Sequence, residues 1–490
     1  MKRVHLPEAA AREVLLVRAI ESEDGEGAVL TREDRQYASS AALRDAPLGE
    51  QPSPADLGAF LHRRSDLALT RLMARFPALK RVCGLSRWPH WLSWAVPLAA
   101  LAAGLATNVL DGPRLNILAF PLLGVLAWNL FVYLWLVVTA LTPRKEGRPV
   151  LGLAERLVQP ATARLAAQPT LERGWTRFAT DWMKVAGPLT RWRASRTLHL
   201  GAALFAIGVL AGMLARARYT ADYSAGWAGT WAGAEAEIAW LLGVILGPAS
   251  WLTGIDLPTA ERLRELRGGA ENAGNWLILW ATTTAMVVIV PRLLLTLWCG
   301  ARAAVLKRRL PVPGPEDFYV RTLVRDALGR PGTARVVPYG VQLGGRARER
   351  LERLLRHALG DKTRVQVDEP VSYGTEDDWL ARESDHLGDA DQLLLLFNLG
   401  STPEAENHGA FALGVRQRLA AGGAGLTLLL DDSAFRGRFG ERRAEERLRA
   451  WADVLAPTGL VPVSISLELG EEEVGARTLE RALQRTPVPA

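Results

Sequence analysis

Cysteine is almost absent from this chain, which has two cysteines, Cys83 and Cys299, among 490 residues. A disulfide scaffold and a zinc site built from cysteines are therefore excluded, because both need several clustered thiols. Each cysteine stands beside an apolar run, so both are expected to be buried thiols that pack like small apolar residues.

Motifs for catalysis and phosphate binding are also missing. The chain has six lysines, and none both follows a glycine and precedes Ser or Thr, which excludes the phosphate-binding P-loop. The seven histidines form no HExxH pair, and no GxSxG, GxGxxG or CxxC motif occurs. The sequence therefore predicts a protein that is not an enzyme and that holds no metal or cofactor.

Charge is scarce in the middle of the chain. The runs 91–110 and 115–141 carry no charged residue, and each reaches the roughly 20 residues that a helix needs to cross ~30 Å of hydrocarbon. The polar turn 111–114 between them indicates a helical hairpin. Residues 198–215 and 276–300 are the third and fourth predicted spans.

The apolar segment 238–254 is predicted not to cross the membrane. It is short, and Gly247-Pro248 would interrupt the backbone hydrogen bonds of a helix. Basic residues follow both the second and the fourth span, so the positive-inside rule places both flanks in the cytoplasm. An even number of crossings must then lie between them, which makes the segment re-entrant or interfacial; a five-span arrangement is the alternative.

Two polar residues inside the predicted spans are candidates for function. Arg292 matters because ionisable residues at membrane depth are costly and often functional, although its long side chain can also reach toward the cytoplasmic interface. Asn129 can pair helices by hydrogen bonding. Gly208 and Gly212 form a GxxxG pattern that allows close contact between helices.

The regions flanking the first hairpin are predicted to be helical. Residues 1–88 predict a small cytoplasmic domain, with Thr31 capping its second helix. Arginines and acidic residues alternate there, so no basic face for nucleic acid emerges. Residues 142–197 predict amphipathic cytoplasmic helices, and the aromatic residues from Trp175 to Trp182 are typical of a helix on a membrane surface or, alternatively, packed on a soluble domain.

The last third of the chain alternates predicted strands and helices. The apolar runs 392–399 and 425–430 have the composition of strands buried on both faces, which indicates a parallel, doubly wound α/β domain within 301–490. Sites in such domains lie at the carboxyl ends of the strands. Alternatively, the polar residues at these strand ends bind no ligand and only cap helices and turns. Thr402 would then cap a helix that begins at Pro403. The candidate partner- or anion-binding residues are Asn398, Ser401, Thr402, Glu404, Asp431, Asp432 and Ser433.

The order of segments within 334–485 resembles the later half of a small GTPase. Residues 393–404 lie where a switch strand would be, 426–435 where the base-reading strand would be, and 462–468 where the last recognition strand would be. The base-reading NKxD motif is absent. The resemblance therefore implies a degenerate GTPase-like domain that has lost nucleotide binding.

A second resemblance rests on the segments 223–227, 246–250, 271–276, 290–293 and 338–340. They are similar to a bacterial family of multi-pass membrane proteins known only as a domain of unknown function, whose gene typically lies beside that of a GTPase-like protein. The resemblance extends over most of the chain. It implies an inner-membrane location and a GTPase partner, and it implies no site residues.

These observations predict an α-helical bundle of four spans joined to a C-terminal cytoplasmic α/β domain, with both termini in the cytoplasm. The leading hypothesis is a membrane-anchored adaptor or signalling scaffold that binds a cytosolic partner; the alternative is a channel or transporter using Arg292 and the 238–254 segment. Expected partners are the lipid bilayer, a cytosolic GTPase and further copies of the chain, and no nucleic acid. The predicted segments are 1–88, 89–141, 142–197, 198–300 and 301–490.

Overall fold

The chain divides into two compact units in the computed structural model. The first, here called the α/β unit, comprises Met1–Val82, Pro160–Trp182 and Arg309–Ala490, and the second, the membrane unit, comprises Cys83–Gln159 and Met183–Arg308. The structure describes residues 4–24, 27–49, 52–86, 88–107, 114–118, 120–141, 168–228, 233–268, 270–315, 317–360, 362–419, 425–468 and 472–485.

Helices make up most of the described chain. They are α1 (Glu8–Glu23), α2 (Arg32–Asp45), α3 (Pro54–Arg75), α4 (Pro77–Leu85), α5 (Leu92–Ala106), α6 (Phe120–Leu141), α7 (Pro169–Tyr219), α8 (Glu235–Thr253), α9 (Ala260–Leu266), α10 (Gly274–Arg308), α11 (Phe318–Ala327), α12 (Gly345–Leu359), α13 (Glu376–Glu383), α14 (Ala410–Leu419), α15 (Ser433–Phe439), α16 (Glu441–Leu455) and α17 (Glu472–Arg485).

The strands form three sheets among the described residues. They are β1 (Val4–Leu6), β2 (Arg114–Asn116), β3 (Ser224–Gly226), β4 (Glu271–Asn272), β5 (Leu310–Val312), β6 (Thr333–Pro338), β7 (Arg364–Val367), β8 (Gln392–Asn398), β9 (Gly425–Asp431) and β10 (Val463–Ile465). β1 pairs with β5, β3 lies between β2 and β4, and the remaining five strands form the large sheet.

The large sheet is parallel, with the strand order β10-β9-β8-β6-β7. Counted from β6 this is 2-1-3-4-5, the flavodoxin-like doubly wound order, in which the ligand crevice lies between the first and third strands. β8 and β9 are buried along almost their whole length because helices cover both faces of the sheet. The predicted parallel α/β region is therefore confirmed.

The N-terminal helices pack against the start of α7. Trp175 and Phe178 are 2% and 1% exposed, and a Cβ on Gly174 would lie 3.0 Å from the Cα of Ile20. Arg177 donates a 3.2 Å hydrogen bond to Glu23 across the same contact. The membrane-surface interpretation of these aromatic residues is therefore wrong, because helices of the α/β unit cover their apolar face.

A buried ionic cluster joins α1, α3 and α11. Arg64 Nη2 donates to Glu21 Oε1 at 2.9 Å, and the Tyr319 hydroxyl donates to Glu21 Oε2 at 2.6 Å. Burial raises the pKa of the Glu21 carboxyl, but the adjacent Arg64 guanidinium outweighs that effect and holds the pKa below its ordinary value. The N-terminal helices are thereby fixed to α11, which precedes the large sheet.

Three helices of the described residues are long and apolar enough to cross a membrane, namely α7, α8 and α10. The predicted first hairpin corresponds to α5 and α6, which contain shorter apolar segments. The prediction that Gly247-Pro248 breaks segment 238–254 is wrong, since α8 continues through Pro248 to Thr253. Proline removes a single backbone donor, and in an apolar surrounding a helix satisfies the remaining backbone groups.

Glycines bring α5 and α7 into close contact. A Cβ on Gly208 would overlap the carbonyl oxygen of Leu101, and one on Gly212 would lie 2.7 Å from that of Leu105. On the facing helix, a Cβ on Gly104 would overlap the carbonyl oxygen of Phe205. The GxxxG pattern of α7 is therefore a site of backbone-to-backbone packing, as small residues allow in membrane helices.

We expect Gly208→Ala to destabilise the membrane unit, because its methyl group would meet the backbone of α5. Overpacking of this kind typically costs about 1–3 kcal/mol. The matched control is Gly243→Ala in α8, where an added Cβ meets no atom within 4 Å. Thermal unfolding of both variants in detergent checks this: a lower midpoint is expected for Gly208→Ala alone, and equal midpoints would contradict the close contact.

Candidate functional site

The predicted strand-end residues lie together at the carboxyl edge of the large sheet. Asn398 at the end of β8 is the register partner of Asp431 at the end of β9. The Asn398 side chain accepts a 2.8 Å hydrogen bond from the Gly400 backbone N–H. Asp431 Oδ1 accepts from the Ser433 backbone N–H at 3.1 Å and from its hydroxyl at 2.5 Å. Both residues thus close turns after their strands.

Among the described residues at this edge, Asp432 is the most deeply buried carboxylate, at 2% exposed. Its Oδ2 accepts from Ser464 Oγ at 2.6 Å and from Arg436 Nη2 at 2.7 Å, and its Oδ1 accepts from Ser466 Oγ. Burial raises the pKa of the Asp432 carboxyl, but the hydrogen bonds from Ser464, Ser466 and Arg436 outweigh that effect and hold the pKa below its usual range.

The loop after β8 departs from the prediction. Thr402 is exposed and caps no helix; a π-helical turn, Ala405–Gly409, precedes α14 and has Glu404 as its N-cap. His408 Nδ1 accepts a 3.3 Å hydrogen bond from the Glu404 backbone N–H. In a helix capped by Thr402, this N–H would instead donate to the Thr402 hydroxyl. Ser401 contributes its backbone N–H to the turn that begins at Asn398.

Sequence reasoning missed an aromatic cluster at the crevice between β6 and β8. The buried Tyr339 hydroxyl donates to Glu376 Oε1 at 2.5 Å, and Tyr373 Oη lies 3.3 Å from His408 Nε2. Gly340 has φ +62°, and a Cβ there would lie 2.8 Å from the Tyr373 ring. Burial raises the pKa of the Tyr339 phenol, so it stays a neutral donor. The segment Pro338-Tyr-Gly340 was the sequence signal for this cluster.

The two predicted intramembrane residues contact each other. Asn129 Oδ1 accepts from Arg292 Nη2 at 2.7 Å and from Nε at 3.1 Å, and His199 Nδ1 lies 3.0 Å from Arg292 Nη1. The guanidinium also lies over the Tyr133 ring, 5.3 Å from its centroid. Arg292 and His199 are 8% and 7% exposed, so both lie in one buried cluster.

Pro291 explains the local structure beside Arg292. A proline has no N–H and displaces the carbonyl four residues earlier, which here is Val287. The Tyr133 hydroxyl donates to that carbonyl at 3.0 Å, and α10 relaxes into a π-helical turn over Ala285–Ile289. Turns of this kind are frequent at functional sites.

A cavity of about 1140 Å³ in the membrane unit is lined by both predicted intramembrane residues, Asn129 and Arg292. Its other walls are mostly apolar side chains of α5, α6, α7 and α10. No residue of 238–254 lines it, so that segment and Arg292 are not brought together there. Elsewhere, the residues described in the structure contain no cluster of three or more His, Cys, Asp or Glu side chains that could hold a metal ion.

Comparison with known proteins places part of the chain in a family context. Residues 153–326 match a family described as Protein of unknown function (DUF2868), which is less than half of the chain. The predicted resemblance to a domain of unknown function is confirmed over this range, which includes the segments 223–227, 246–250, 271–276 and 290–293 but not 338–340. No curated protein and no solved structure matches the chain.

We expect Asp432→Asn to cost about 1–3 kcal/mol at neutral pH, because it weakens hydrogen bonds to a buried carboxylate. Because the pKa of Asp432 is lower in the folded than in the unfolded protein, its carboxylate stabilises the fold at pH values above about 3.9, the ordinary pKa of aspartate. This stabilisation is lost as the pH falls through the pKa of the folded state. The gap in unfolding midpoint between the native chain and the variant should therefore shrink below about pH 4.

The control for this prediction is Asp453→Asn, which changes an exposed aspartate on α16. Its midpoint should track that of the native chain from pH 7 to pH 3. A gap for Asp432→Asn that stays constant over this range would contradict a lowered pKa.

Proposed function

We propose that this protein is a membrane-anchored adaptor, whose apolar helices hold an α/β domain that binds a cytosolic partner and carries out no chemistry of its own. The observation that carries this proposal is the surface formed by α15 and α16 beside the carboxyl edge of the large sheet. The location that goes with it is a bacterial inner membrane, crossed four times, with both termini in the cytoplasm.

Contacts at the carboxyl edge of the large sheet support the proposal that the α/β domain binds no nucleotide. Asp432 is engaged by Ser464, Ser466 and Arg436 at the carboxyl ends of β9 and β10, on the same edge of the sheet as the crevice between β6 and β8. The Tyr373 ring lies over Gly340 at the crevice between β6 and β8. These contacts occupy the Asp432 carboxylate, a group that a magnesium ion would need, and place an aromatic ring against the backbone at the crevice.

A partner surface follows directly after these residues, and we call it the Phe/Arg patch. The rings of Phe435 and Phe439 lie 4.7 Å apart, and the guanidinium groups of Arg438 and Arg443 lie 5.2 Å and 5.9 Å from the Phe439 centroid. Arg447 lies 5.5 Å from the Phe435 centroid. Aromatic residues and arginine are enriched in protein interfaces, and the positive charge favours an acidic partner surface.

The proposed partner is a cytosolic GTPase. This rests on the resemblance to a family whose gene lies beside that of a GTPase-like protein and on the GTPase-like order of segments 393–404, 426–435 and 462–468. The flavodoxin-like strand order supports a doubly wound domain in general, so the likeness to a GTPase itself rests on the sequence. Further copies of the chain are a second proposed partner.

We expect Arg443→Glu to disrupt partner binding, since it reverses the charge of the Phe/Arg patch. Arg449→Glu is the matched control, because Arg449 is exposed on the same helix and pairs with Glu445 at 3.9 Å. Affinity capture from native membranes, followed by mass spectrometry, should enrich a GTPase with the native chain and the control, and at least fivefold less with Arg443→Glu. Capture that never enriches a GTPase would contradict the partner proposal.

A nucleotide-free domain predicts no heat of binding when GTP or ATP is titrated with Mg²⁺ into the full-length protein in detergent. The measurement is isothermal calorimetry, with a nucleotide-binding GTPase as the positive control. Saturable binding would instead favour a nucleotide sensor or an enzyme, and Asp432→Asn would then show whether the carboxyl edge holds the nucleotide.

Transport is the second candidate function, and the cavity beside Arg292 favours it. Its pathway would run through this cavity and not along 238–254, because α8 is continuous and contributes no lining residue. Anion flux into liposomes that Arg292→Ala abolishes would favour transport over an adaptor.

A further inference from the structure

Arg292 is a buried cation, and the side chains that contact its guanidinium in the described part of the chain are all uncharged. Arginine stays protonated in proteins and carries five N–H donors, of which three are engaged here, two by Asn129 and one by His199. Among the described residues no carboxylate forms an ion pair with it, and the lining of the adjoining cavity contains no acidic residue. A buried charge is costly unless it is paired, so the guanidinium favours an anion on its free side.

The cavity offers that anion an apolar surrounding. Its lining includes Val96, Val125, Phe205 and Leu210, which cannot bind a hydrated ion or a sugar. Trp280 also lines it, and the buried indole N–H of this residue has no hydrogen-bond partner among the described residues. Polar groups are thus few, whereas the volume of about 1140 Å³ exceeds the roughly 300–1,000 Å³ of ordinary small-molecule sites.

The shape of the cavity suits a long chain. On α7 the lining runs from Leu198 to Met213, which at 1.5 Å per residue is about 22 Å. One leaflet contributes only about 15 Å of hydrocarbon, half of the bilayer core. Trp128 and Leu198 line the cavity and are also more than 60% exposed, so it opens on the side surface of the membrane unit, where lipid chains lie.

Arg292 lies deep relative to the interface. From Arg292 to Arg302 the helix rises about 15 Å at 1.5 Å per residue. Arg302 lies between the rings of Trp192 and Trp298, at 5.7 Å and 5.9 Å from their centroids, an arrangement typical of the interfacial belt. Because Arg292 is also buried, an anionic head group that contacts it must enter the protein.

We propose that this cavity binds a single-chain anionic amphiphile, with its carboxylate or phosphate head on Arg292 and its apolar chain along α7. The guanidinium supplies two N–H donors and the charge, and Asn129 and His199 hold its orientation. This binding site is independent of the adaptor proposal, because it involves none of the residues of the Phe/Arg patch.

The test uses the full-length protein in nanodiscs of zwitterionic lipid and a photoactivatable derivative of palmitic acid. Its methyl ester, which keeps the chain and removes the charge, is the matched probe. Saturable labelling by the acid should exceed labelling by the ester at least tenfold, and unlabelled palmitate but not inorganic phosphate should displace the acid. Equal labelling by the two probes would overturn the proposal, and displacement by phosphate alone would identify a free-anion site instead.

Three variants locate the site. Arg292→Met should reduce labelling by the acid at least tenfold, whereas Arg302→Met, which removes an interfacial cation, should leave it unchanged. Asn129→Asp places a carboxylate against Arg292 within the protein, so it should raise the unfolding midpoint and yet weaken labelling at least tenfold. Full labelling of a folded Asn129→Asp or Arg292→Met protein would overturn the proposal, and this pair remains informative if one of the two fails to fold.

Discussion

Where no water is present, every backbone N–H and C=O must find its partner inside the protein, and the membrane unit is built around that requirement. α8 stays helical through Pro248 to Thr253, which keeps its backbone groups within the helix. At Pro291 the displaced Val287 carbonyl receives the Tyr133 hydroxyl. The π-helical turn Ala285–Ile289 lies directly before Pro291 and Arg292, so the backbone irregularity and the polar cluster are adjacent in the chain.

The two candidate sites differ in the partners that their buried polar groups have within the protein. At the carboxyl edge of the large sheet, Asp432 is held by serines and an arginine, and Tyr339 is held by Glu376. In the membrane unit Arg292 has neutral partners, and the lining of its cavity contains no acid. The first arrangement suits a stable surface for a protein partner, whereas the second suits a charged ligand.

Sequence patterns predicted the features that depend on local composition. β8 and β9 were recognisable because uninterrupted apolar residues suit strands covered on both faces, and Thr31 accepts from the Asp34 backbone as its cap position predicts. Sequence patterns did not predict the features that depend on contacts with elements far away in the chain. The apolar face at Trp175 was visible, but its cover by the N-terminal helices was not, and the role of His199 depends on Arg292 from another helix.

The pairing of β1 with β5 has a consequence for biosynthesis. Val4 faces Val312 and Leu6 faces Leu310, so the first strand gains its partner only after about 300 further residues have been translated. At ~5–20 residues per second this takes roughly 15–60 s, during which the hydrophobic helices emerge from the ribosome. The N-terminal segment therefore completes its sheet only after those helices have been synthesised.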